Sequence, residues 1–450
     1  MCAGLFVLCL SQPAFAAIGA HILIDAKTGA VLDQKDATRL WYPASLTKIM
    51  TAYVTFKAVR EGSISLQSPV IQSKNSLAEP PSKMGFKVGT QLTVEAALKI
   101  ILIKSANDVS VALGEAVAGS EEAFIDLMNA EAARLGMADT RFVNPHGLPN
   151  NRQVSTARDM AILAQAFWRD FPDARALYKH SGIKFGKRTL RSANREYLLR
   201  VRGANGMKTG YICNSGYNVA ATATRGGRTL IAVVLGAASG LERIAFTREL
   251  MDKGFKKRSG GPKVGNLART GAKPPADGYC KRNAKPGAQG IMARFDMKKS
   301  SSRSLALSFS PQRDQGAVIL PGASNRAEKV DTSDGITLPN GKTDWAKVLD
   351  RTIGPRLLAY KPIVVTTGVP RGGAVLARLP AASIPIPTAK PAGADAAPVV
   401  QTNAAAPGSV VQPSSGAPAT ATSAAAPAPG SLFRQGIGFA VPVPAPSPRK

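Results

Sequence analysis

The chain has 450 residues, of which 44% are hydrophobic, and its formal net charge is +29 at pH 7. This length is enough for two or three domains, and the excess of positive charge favours acidic partners, such as an anionic envelope surface or nucleic acid. Because neither a nucleic-acid motif nor a basic stripe interleaved with aromatic residues accompanies the charge, we expect no nucleic-acid partner.

The N-terminus has the pattern of an export signal over residues 1–16. Leu5–Leu10 form an apolar run, and Ala14-Phe15-Ala16 fits the small-x-small pattern of a cleavage site, although no Lys or Arg precedes the run. We therefore expect an exported protein that is periplasmic or associated with the cell envelope. The alternative is the frayed N-terminus of a cytosolic protein.

The four cysteines divide into two pairs. Cys2 and Cys9 would be removed with the signal, so that Cys213 and Cys280 remain. In an oxidising compartment these two can form a disulfide, and they can equally stay as two unpaired thiols. The sequence leaves both alternatives open.

The predicted elements begin with a β-hairpin, whose strands Ala20–Asp25 and Ala30–Asp33 flank a turn that contains Gly29. Apolar spacing then predicts helices from about Ser45 to Gly62 and over residues 94–103, 109–117, 121–135 and 157–167, with Thr93 and Thr156 as N-caps. A meander of strands follows at 207–213, 217–224 and 229–235, and a helix over 241–251 closes the region. This order predicts an α/β (α+β) fold, in which both ends of the region supply an antiparallel sheet and a helical segment is inserted between them.

The composition changes after Phe255. We predict a catalytic domain over residues 17–257, a basic Gly/Pro-rich linker over 258–300, a small region of unassigned fold over 301–362, and an Ala/Pro-rich disordered tail over 363–450. Within the unassigned region, Asp344–Tyr360 has apolar residues at helical spacing. It predicts either a surface-lying amphipathic helix or a packed helix of a small domain.

The stretch Ser45-Leu46-Thr47-Lys48 carries the chemistry that the rest of the chain supports. Serine and lysine lie three positions apart at the start of a predicted helix, where they share one face. The lysine amine can therefore reach the serine hydroxyl, which makes a nucleophile and base pair without histidine.

Two further motifs follow in the chain, Ser105-Ala106-Asn107 between helices and Lys208-Thr209-Gly210 on a strand. Together with Ser-x-x-Lys they match the motif set of class A β-lactamases and penicillin-binding proteins, with Ala106 in place of the usual aspartate. A second Lys-Thr-Gly at residues 27–29 lies in the hairpin turn, and we interpret it as turn chemistry only.

The whole pattern resembles the serine D-alanyl-D-alanine carboxypeptidases among the low-molecular-weight penicillin-binding proteins. The resemblance covers roughly residues 18–257 and includes Leu135–Thr140, Asn144–Leu148 and Gly216–Ala220. It implies a β-lactamase/transpeptidase-like fold with a five-stranded antiparallel sheet flanked by helices. The Glu-x-x-Leu-Asn loop expected of a class A β-lactamase is replaced by Asn144-Pro145-His146-Gly147-Leu148, which favours the peptidase. We interpret His146 as structural.

The resemblance implies roles for particular residues. Ser45 would attack the carbonyl between two terminal D-alanines, Lys48 would act as general base with a lowered pKa, and Ser105 would relay a proton to the leaving amine. The residues expected to bind substrate are Asn107, Lys208, Thr209, Gly210, Tyr211 and Arg243; among these, Thr209 and Arg243 would hold the terminal carboxylate, and the backbone N–H groups of Ser45 and Tyr211 would form the oxyanion hole.

These expectations lead to a D,D-carboxypeptidase that acts on peptidoglycan stem peptides and is inhibited by β-lactams. The alternatives are a D,D-endopeptidase that cuts crosslinks, a β-lactamase, and a non-catalytic wall-binding protein. We expect neither a cofactor nor a metal, because the three histidines are too few for a histidine metal cluster.

Overall fold

The computed structural model describes residues 18–258, 260–283, 285–297 and 334–369. The predicted export signal, residues 298–333 and residues 370–450 lie outside the described residues, and the predicted domain boundaries therefore stay predictions. The strands are β1 (Ala20–Asp25), β2 (Val31–Lys35), β3 (Pro69–Ile71), β4 (Gln91–Thr93), β5 (Gly182–Phe185), β6 (Arg188–Arg191), β7 (Ala204–Ile212), β8 (Gly216–Arg225), β9 (Arg228–Ala237) and β10 (Ile363–Val364).

The helices bound the sheet and fill the region between β2 and β7. They are α1 (Lys48–Arg60), α2 (Lys74–Ala78), α3 (Val94–Lys99), α4 (Asn107–Ala118), α5 (Glu121–Arg134), α6 (Ala157–Asp170), α7 (Arg175–Tyr178), α8 (Arg195–Arg200), α9 (Gly240–Lys256), α10 (Tyr279–Arg282), α11 (Ala288–Phe295) and α12 (Trp345–Thr352). The predicted N-caps are confirmed: the side chains of Thr93 and Thr156 accept hydrogen bonds from the first turns of α3 and α6.

The central sheet has five strands in the order β2-β1-β9-β8-β7, and every neighbouring pair is antiparallel. The N-terminal hairpin thus joins a meander that lies far away in the chain, which confirms the predicted sheet and its helical insertion. Strand β7 forms one edge of the sheet, so one side of it has no strand neighbour.

Helices cover both faces of the sheet. Leu23, Leu230 and Met251 belong to the core between the sheet and α9, whereas Ile22 and Ile231 belong to the core shared with α1 and α6. Strand β9 is buried along nearly its whole length because helices cover both of its faces. Its sequence is therefore a continuous apolar run and does not alternate between apolar and polar residues.

The predicted helix over 94–103 differs in its second half. The α-helix α3 ends at Lys99 and a π-helical turn continues through Ile100–Lys104, after which Ser105 adopts the left-handed conformation with φ of +70°. A π-turn and a left-handed non-glycine residue are both unusual, and they cluster at functional sites.

Residues 260–283, which the sequence predicts as part of a linker, lie along the domain that the central sheet and its helices form. Val31 donates a backbone hydrogen bond to Pro262, and Leu40 donates one to Ala272. Cys213 and Cys280 form a disulfide, which decides the alternative that the sequence leaves open. The ring of Tyr279 packs edge-on against Trp41, and its hydroxyl donates to the carbonyl of Gly236.

The segment 334–369 also packs on the domain. Helix α12 buries Val348 against Met292 of α11, so it packs on a neighbouring helix, whereas its membership of a separate small domain stays a prediction. Strand β10 pairs in parallel with β5, and residues 363–369 are thus ordered where the sequence predicts the start of a disordered tail. Across the described ranges, no helix combines the length and the apolar character needed to cross a membrane.

Candidate active site

The turn before α1 presents Ser45 at the edge of the sheet. Residues Ala44–Thr47 form a single 3₁₀ turn, with Ala44 at φ of +50°. Asn218, fully buried on β8, fixes the approach to this turn because its Nδ2 donates to the carbonyls of Tyr42, at 3.0 Å, and Pro43, at 3.4 Å. The position of Ser45 is thereby fixed both by a side chain of the sheet and by the 3₁₀ turn that leads into α1.

The Lys48 amine is completely buried and has three neighbours. Its Nζ lies 2.7 Å from the carbonyl oxygen of His146, 2.8 Å from Oδ1 of Asn107 and 3.2 Å from Oγ of Ser45. The two carbonyl oxygens can only accept hydrogen bonds, so they take the two N–H groups of a neutral amine. The remaining lone pair then faces the Ser45 hydroxyl.

The charge state of Lys48 agrees with this geometry. Burial lowers its pKa well below the usual range, and the charge of Lys208 lowers it further, while the carboxylates of Glu79 and Asp108 oppose the change. This is the direction required of a lysine that accepts a proton near neutral pH.

Asn107 connects Lys48 with the segment after α2. Its Nδ2 donates to the carbonyl of Pro80 at 2.9 Å, and its backbone N–H donates to the carbonyl of Ser82 at 2.7 Å. Because the carbonyl of Pro80 only accepts, the amide is oriented with Oδ1 toward Lys48.

Strand β7 brings the third motif to the same place. The Nζ of Lys208 donates to Oγ of Ser105 at 2.9 Å and to the carbonyl of Thr209 at 2.9 Å. Burial lowers the pKa of Lys208 to about 7, and the charges of Arg243 and Lys104 act in the same direction. A cation that is close to losing its proton thus lies beside the Ser105 hydroxyl.

At Gly210, strand β7 approaches the Ala44–Thr47 turn that carries Ser45. A Cβ at this position would lie 3.0 Å from the carbonyl oxygen of Pro43 and 3.0 Å from the backbone nitrogen of Ser45. The absent side chain lets the strand come close, which places the following Tyr211 beside the Ser45 amide. The Tyr211 ring is 47% exposed and stacks on Tyr217 with centroids 4.4 Å apart.

Arg243 lies below this surface, on α9. Its Nη2 donates to the carbonyl of Ala193 at 3.0 Å, one Nη1 contact reaches the carbonyl of Asn218 at 3.4 Å, and its buried Nε has no hydrogen-bond partner among the described residues. Burial lowers its pKa to about 10. It is close enough to Lys208 to affect that lysine's pKa, but it makes no direct contact with the serine or lysine of the first motif.

The three motifs therefore meet at one site. Ser45, Lys48 and Asn107 are joined by hydrogen bonds, Ser105 and Lys208 form a second pair, and Gly210 closes the gap between β7 and the nucleophile turn. The sequence did not predict that the carbonyl of His146 contacts Lys48. Nor did it predict that the side chain of Asn218 holds the backbone before Ser45 by hydrogen bonds. Backbone carbonyls carry no sequence signal, whereas Asn218 lies in a stretch that resembles the family.

This arrangement can perform acyl transfer. It offers a hydroxyl nucleophile, a buried amine that can take its proton, a second hydroxyl beside a cation, and an open strand edge along which a peptide can lie.

Comparisons with known proteins agree with the geometry. The family model of D-alanyl-D-alanine carboxypeptidases, peptidase family S11, matches residues 8–239. The chain is 41% identical over 245 residues to the D-alanyl-D-alanine carboxypeptidase DacC of Escherichia coli (strain K12), which covers 53% of this chain and 61% of DacC. It is 36% identical over 244 residues to DacA of the same organism, with 52% of this chain and 60% of DacA covered.

Solved structures give the same result for the fold. The crystal structure of penicillin binding protein 5 from Haemophilus influenzae matches with a TM-score of 0.51 and 32% identity, covering 55% of this chain and 73% of that one. The match to the curated relatives spans only about three fifths of their length.

Proposed function

The chain belongs to the D-alanyl-D-alanine carboxypeptidase family, peptidase S11, and from this premise we propose that it is a serine D,D-carboxypeptidase that removes the terminal D-alanine from peptidoglycan stem pentapeptides. The observation that carries the proposal is the position of Lys48. Its amine is buried and lies 2.7 Å from the carbonyl oxygen of His146, 2.8 Å from Asn107 Oδ1 and 3.2 Å from Ser45 Oγ. In the neutral amine, the first two oxygens take the N–H groups and leave the lone pair for the Ser45 proton.

The proposed reaction begins when Ser45 attacks the carbonyl carbon between the two terminal D-alanines. As the Oγ–C bond forms, the hydroxyl proton moves to Lys48. The peptide C–N bond then breaks, and the leaving amine takes a proton from Lys48 by way of the Ser105 hydroxyl. The leaving product is D-alanine. Water next attacks the acyl carbon and gives a proton to Lys48. The ester bond between Ser45 Oγ and that carbon then breaks, Lys48 returns the proton to Oγ, and the shortened stem peptide is released with a new carboxylate.

Charge stabilisation in this proposal comes from the edge of β7. The backbone N–H groups of Ser45 and Tyr211 donate to the developing oxyanion, a contribution of about 3 to 4 kcal/mol per donor in comparable sites. Gly210 supports this role because it allows the close approach of β7 to the Ser45 amide.

The terminal carboxylate of the substrate would be bound by Thr209 and by the positive charge of Lys208 and Arg243. Thr209 and Lys208 lie next to each other on β7, and the Arg243 guanidinium is close enough to Lys208 to lower its pKa. Only the end of a chain carries this carboxylate, so the cluster favours an exopeptidase over an endopeptidase. Asn107 would contact the peptide on the other side of the cleft.

We propose that the enzyme works in the cell envelope, after export directed by residues 1–16, and remodels the cell wall. The relatives named as carboxypeptidases and as a penicillin binding protein support both a peptidoglycan substrate and inhibition by β-lactams. The net charge of +29 would favour contact with anionic envelope polymers.

The test is mass spectrometry of the protein after reaction with penicillin. We expect one adduct on the peptide that contains Ser45 and none in Ser45→Ala. The two Lys-Thr-Gly tripeptides supply a matched control: Lys208→Ala should lose labelling, whereas Lys27→Ala, in the exposed hairpin turn, should label like the unchanged protein. Full labelling of Ser45→Ala would contradict the proposal.

Substrate assays then separate the alternatives. Release of D-alanine from a pentapeptide without cleavage of crosslinked dimers supports the carboxypeptidase. Cleavage of the dimers would indicate an endopeptidase, and rapid turnover of penicillin instead of a long-lived adduct would indicate a β-lactamase.

A further inference from the structure

Two segments on opposite sides of Lys48 each supply one backbone carbonyl to the site. The segment that follows α2 supplies the carbonyl of Pro80, which accepts from Asn107 Nδ2 at 2.9 Å. The segment between α5 and α6 supplies the carbonyl of His146, which accepts from Lys48 Nζ at 2.7 Å. Neither segment belongs to the sheet or to a helix at these residues. Nearby bonds hold each of them in part: Asn107 N–H donates to the carbonyl of Ser82, and Thr51 Oγ1 donates to the carbonyl of Pro145.

One side-chain contact joins the two segments. The Nε2 of His146 lies 3.1 Å from a carboxylate oxygen of Glu79, the residue just before Pro80. The His146 side chain is only 4% exposed and that of Glu79 is 18% exposed. A buried contact between an imidazole and a carboxylate is held more firmly than an exposed ion pair.

The protonation of the imidazole follows from its other nitrogen. The Nδ1 of His146 accepts a hydrogen bond from the backbone N–H of Leu148 at 3.2 Å. A neutral imidazole has one N–H and one acceptor nitrogen, so Nε2 carries the proton, and it lies within ion-pair distance of Glu79. Burial lowers the pKa of His146, and the contact with His146 lowers that of Glu79, which makes the pair a neutral imidazole and a carboxylate at neutral pH.

The same tautomer argues against a metal site. Ligand atoms of Glu79, Glu121 and His146 all lie within 4.8 Å of one another. However, the N–H of Leu148 occupies Nδ1, so a cation at Nε2 would have to displace the single proton of the ring, and Glu121 accepts a hydrogen bond from Asn75 at 3.0 Å. The cluster is better explained as a contact between two segments.

These contacts form a closed ring through Lys48, Asn107, Pro80, Glu79 and His146. We infer that Glu79 and His146 are positioning residues: their contact holds the two carbonyls that orient Lys48 and Asn107 for attack by Ser45. This inference rests on the proposed function, because the orientation matters only if Lys48 accepts the proton of Ser45. Without the contact, the two segments keep their separate bonds to α1 and to Asn107 but are no longer joined to each other, so the acceptors of the amine are less precisely placed.

Glu79 has a second effect, through its charge. The charged groups that act on Lys48 are Lys208, which lowers its pKa, and Glu79 and Asp108, which raise it. Removing the negative charge of Glu79 therefore shifts the acidic limb of the acylation profile to lower pH, whether or not the contact with His146 is kept. Geometry and charge can thus be separated by two substitutions at one position.

The experiment measures the acylation rate constant by β-lactam in single-turnover reactions from pH 5 to 9, per active site, together with the dissociation constant of the non-covalent complex. We expect Glu79→Ala to lower this rate constant between about tenfold and a hundredfold, with little change in the dissociation constant. Glu79→Gln keeps an oxygen of the same reach beside His146 Nε2, so it should restore most of the rate while its acidic limb stays shifted to lower pH.

The control is Glu122→Ala, which removes an exposed carboxylate from the first turn of α5, where Glu121 also lies. It should keep both the rate and the pH profile of the unchanged protein. If Glu79→Ala lowers only the fraction of labelled protein and not the rate per active site, the residue is merely structural and the inference is wrong. Loss of rate of the unchanged protein in EDTA would also overturn it, because the three side chains would then act as metal ligands. Absence of any Ser45 adduct in the unchanged protein would instead refute the proposed function.

Discussion

The disulfide between Cys213 and Cys280 joins the end of β7, two residues beyond Tyr211, to the segment that follows the catalytic region in the chain. The cysteines are separated by 67 residues, and the residue before Cys280, Tyr279, packs on Trp41. Constraining a loop of this length in the unfolded chain contributes about 4 kcal/mol to stability. Removal of the bond by Cys213→Ser with Cys280→Ser should therefore lower the free energy of unfolding by about 4 kcal/mol, or Tm by roughly 10 °C.

The effect on catalysis should be much smaller. Strand β7 remains paired with β8 in the register that sets Tyr211 opposite Tyr217, and Asn214 still donates to Asp277 across the same junction at 2.7 Å. The acylation rate per folded molecule should thus stay close to that of the unchanged protein. The disulfide is expected to stabilise the fold without being needed for the chemistry.

The assay is urea unfolding followed by fluorescence, with and without a reductant, alongside penicillin labelling of the folded protein. The reduced unchanged protein should unfold at the urea concentration of the double variant, and the double variant should not respond to the reductant. An unfolding midpoint of the double variant equal to that of the oxidised protein would refute the loop-entropy argument. Loss of labelling in a fully folded variant would refute the separation of stability from catalysis.

Two further predictions follow from the same site. Gly147→Ala should abolish labelling by penicillin, because its Cβ would lie 1.9 Å from the carbonyl oxygen of Ala44; Gly62→Ala, also at positive φ but with nothing within 4 Å, should keep labelling and lose only about 1 kcal/mol in urea unfolding. The second concerns Lys208, whose pKa is lowered from 10.5 to about 7 by burial. Below about pH 7 the Lys208 amine is protonated in both the folded and the unfolded chain. Between about pH 7 and 10.5 only the unfolded chain binds this proton, so the free energy of unfolding should rise with pH over this window. Lys208→Met should reduce that rise in unfolding measured at successive pH values, and an unchanged slope would contradict the buried cation.

Much of the fold follows from local patterns. Period-two and helical spacing predicts the hairpin that begins at Ala20, the meander over 207–235 and the main helices, because long amphipathic or buried runs leave a clear signal. The short strands β3 to β6 and β10 were not predicted, since two to four residues are too few for a period to be seen. The π-turn before Ser105 was missed as well, because its sequence continues the apolar pattern of α3.

For the candidate site too, the sequence predicted some features and the structure was needed for others. Its reactive side chains could be named from three short motifs, because acyl transfer by serine and lysine requires these residue types and their local structure is predictable. The motifs do not show how they meet: Ser45, Asn107 and Lys208 come from a turn, a helix and a strand that are far apart in the chain. Their roles in catalysis stay predictions that the labelling experiments test.

The sequence by itself predicted the serine and lysine proposed to react, and an antiparallel sheet supplied by both ends of the region, because residue types, short motifs and the order of the elements can be seen in a single chain. Only the tertiary structure decided that Cys213 pairs with Cys280, that His146 presents its carbonyl to Lys48 and its ring to Glu79, and that residues 260–283 lie on the catalytic domain. Each of these contacts joins residues distant in sequence, or uses a backbone carbonyl that every residue possesses. Such contacts leave no periodicity or motif in a single sequence, and they exist only once the sheet and its helices have packed.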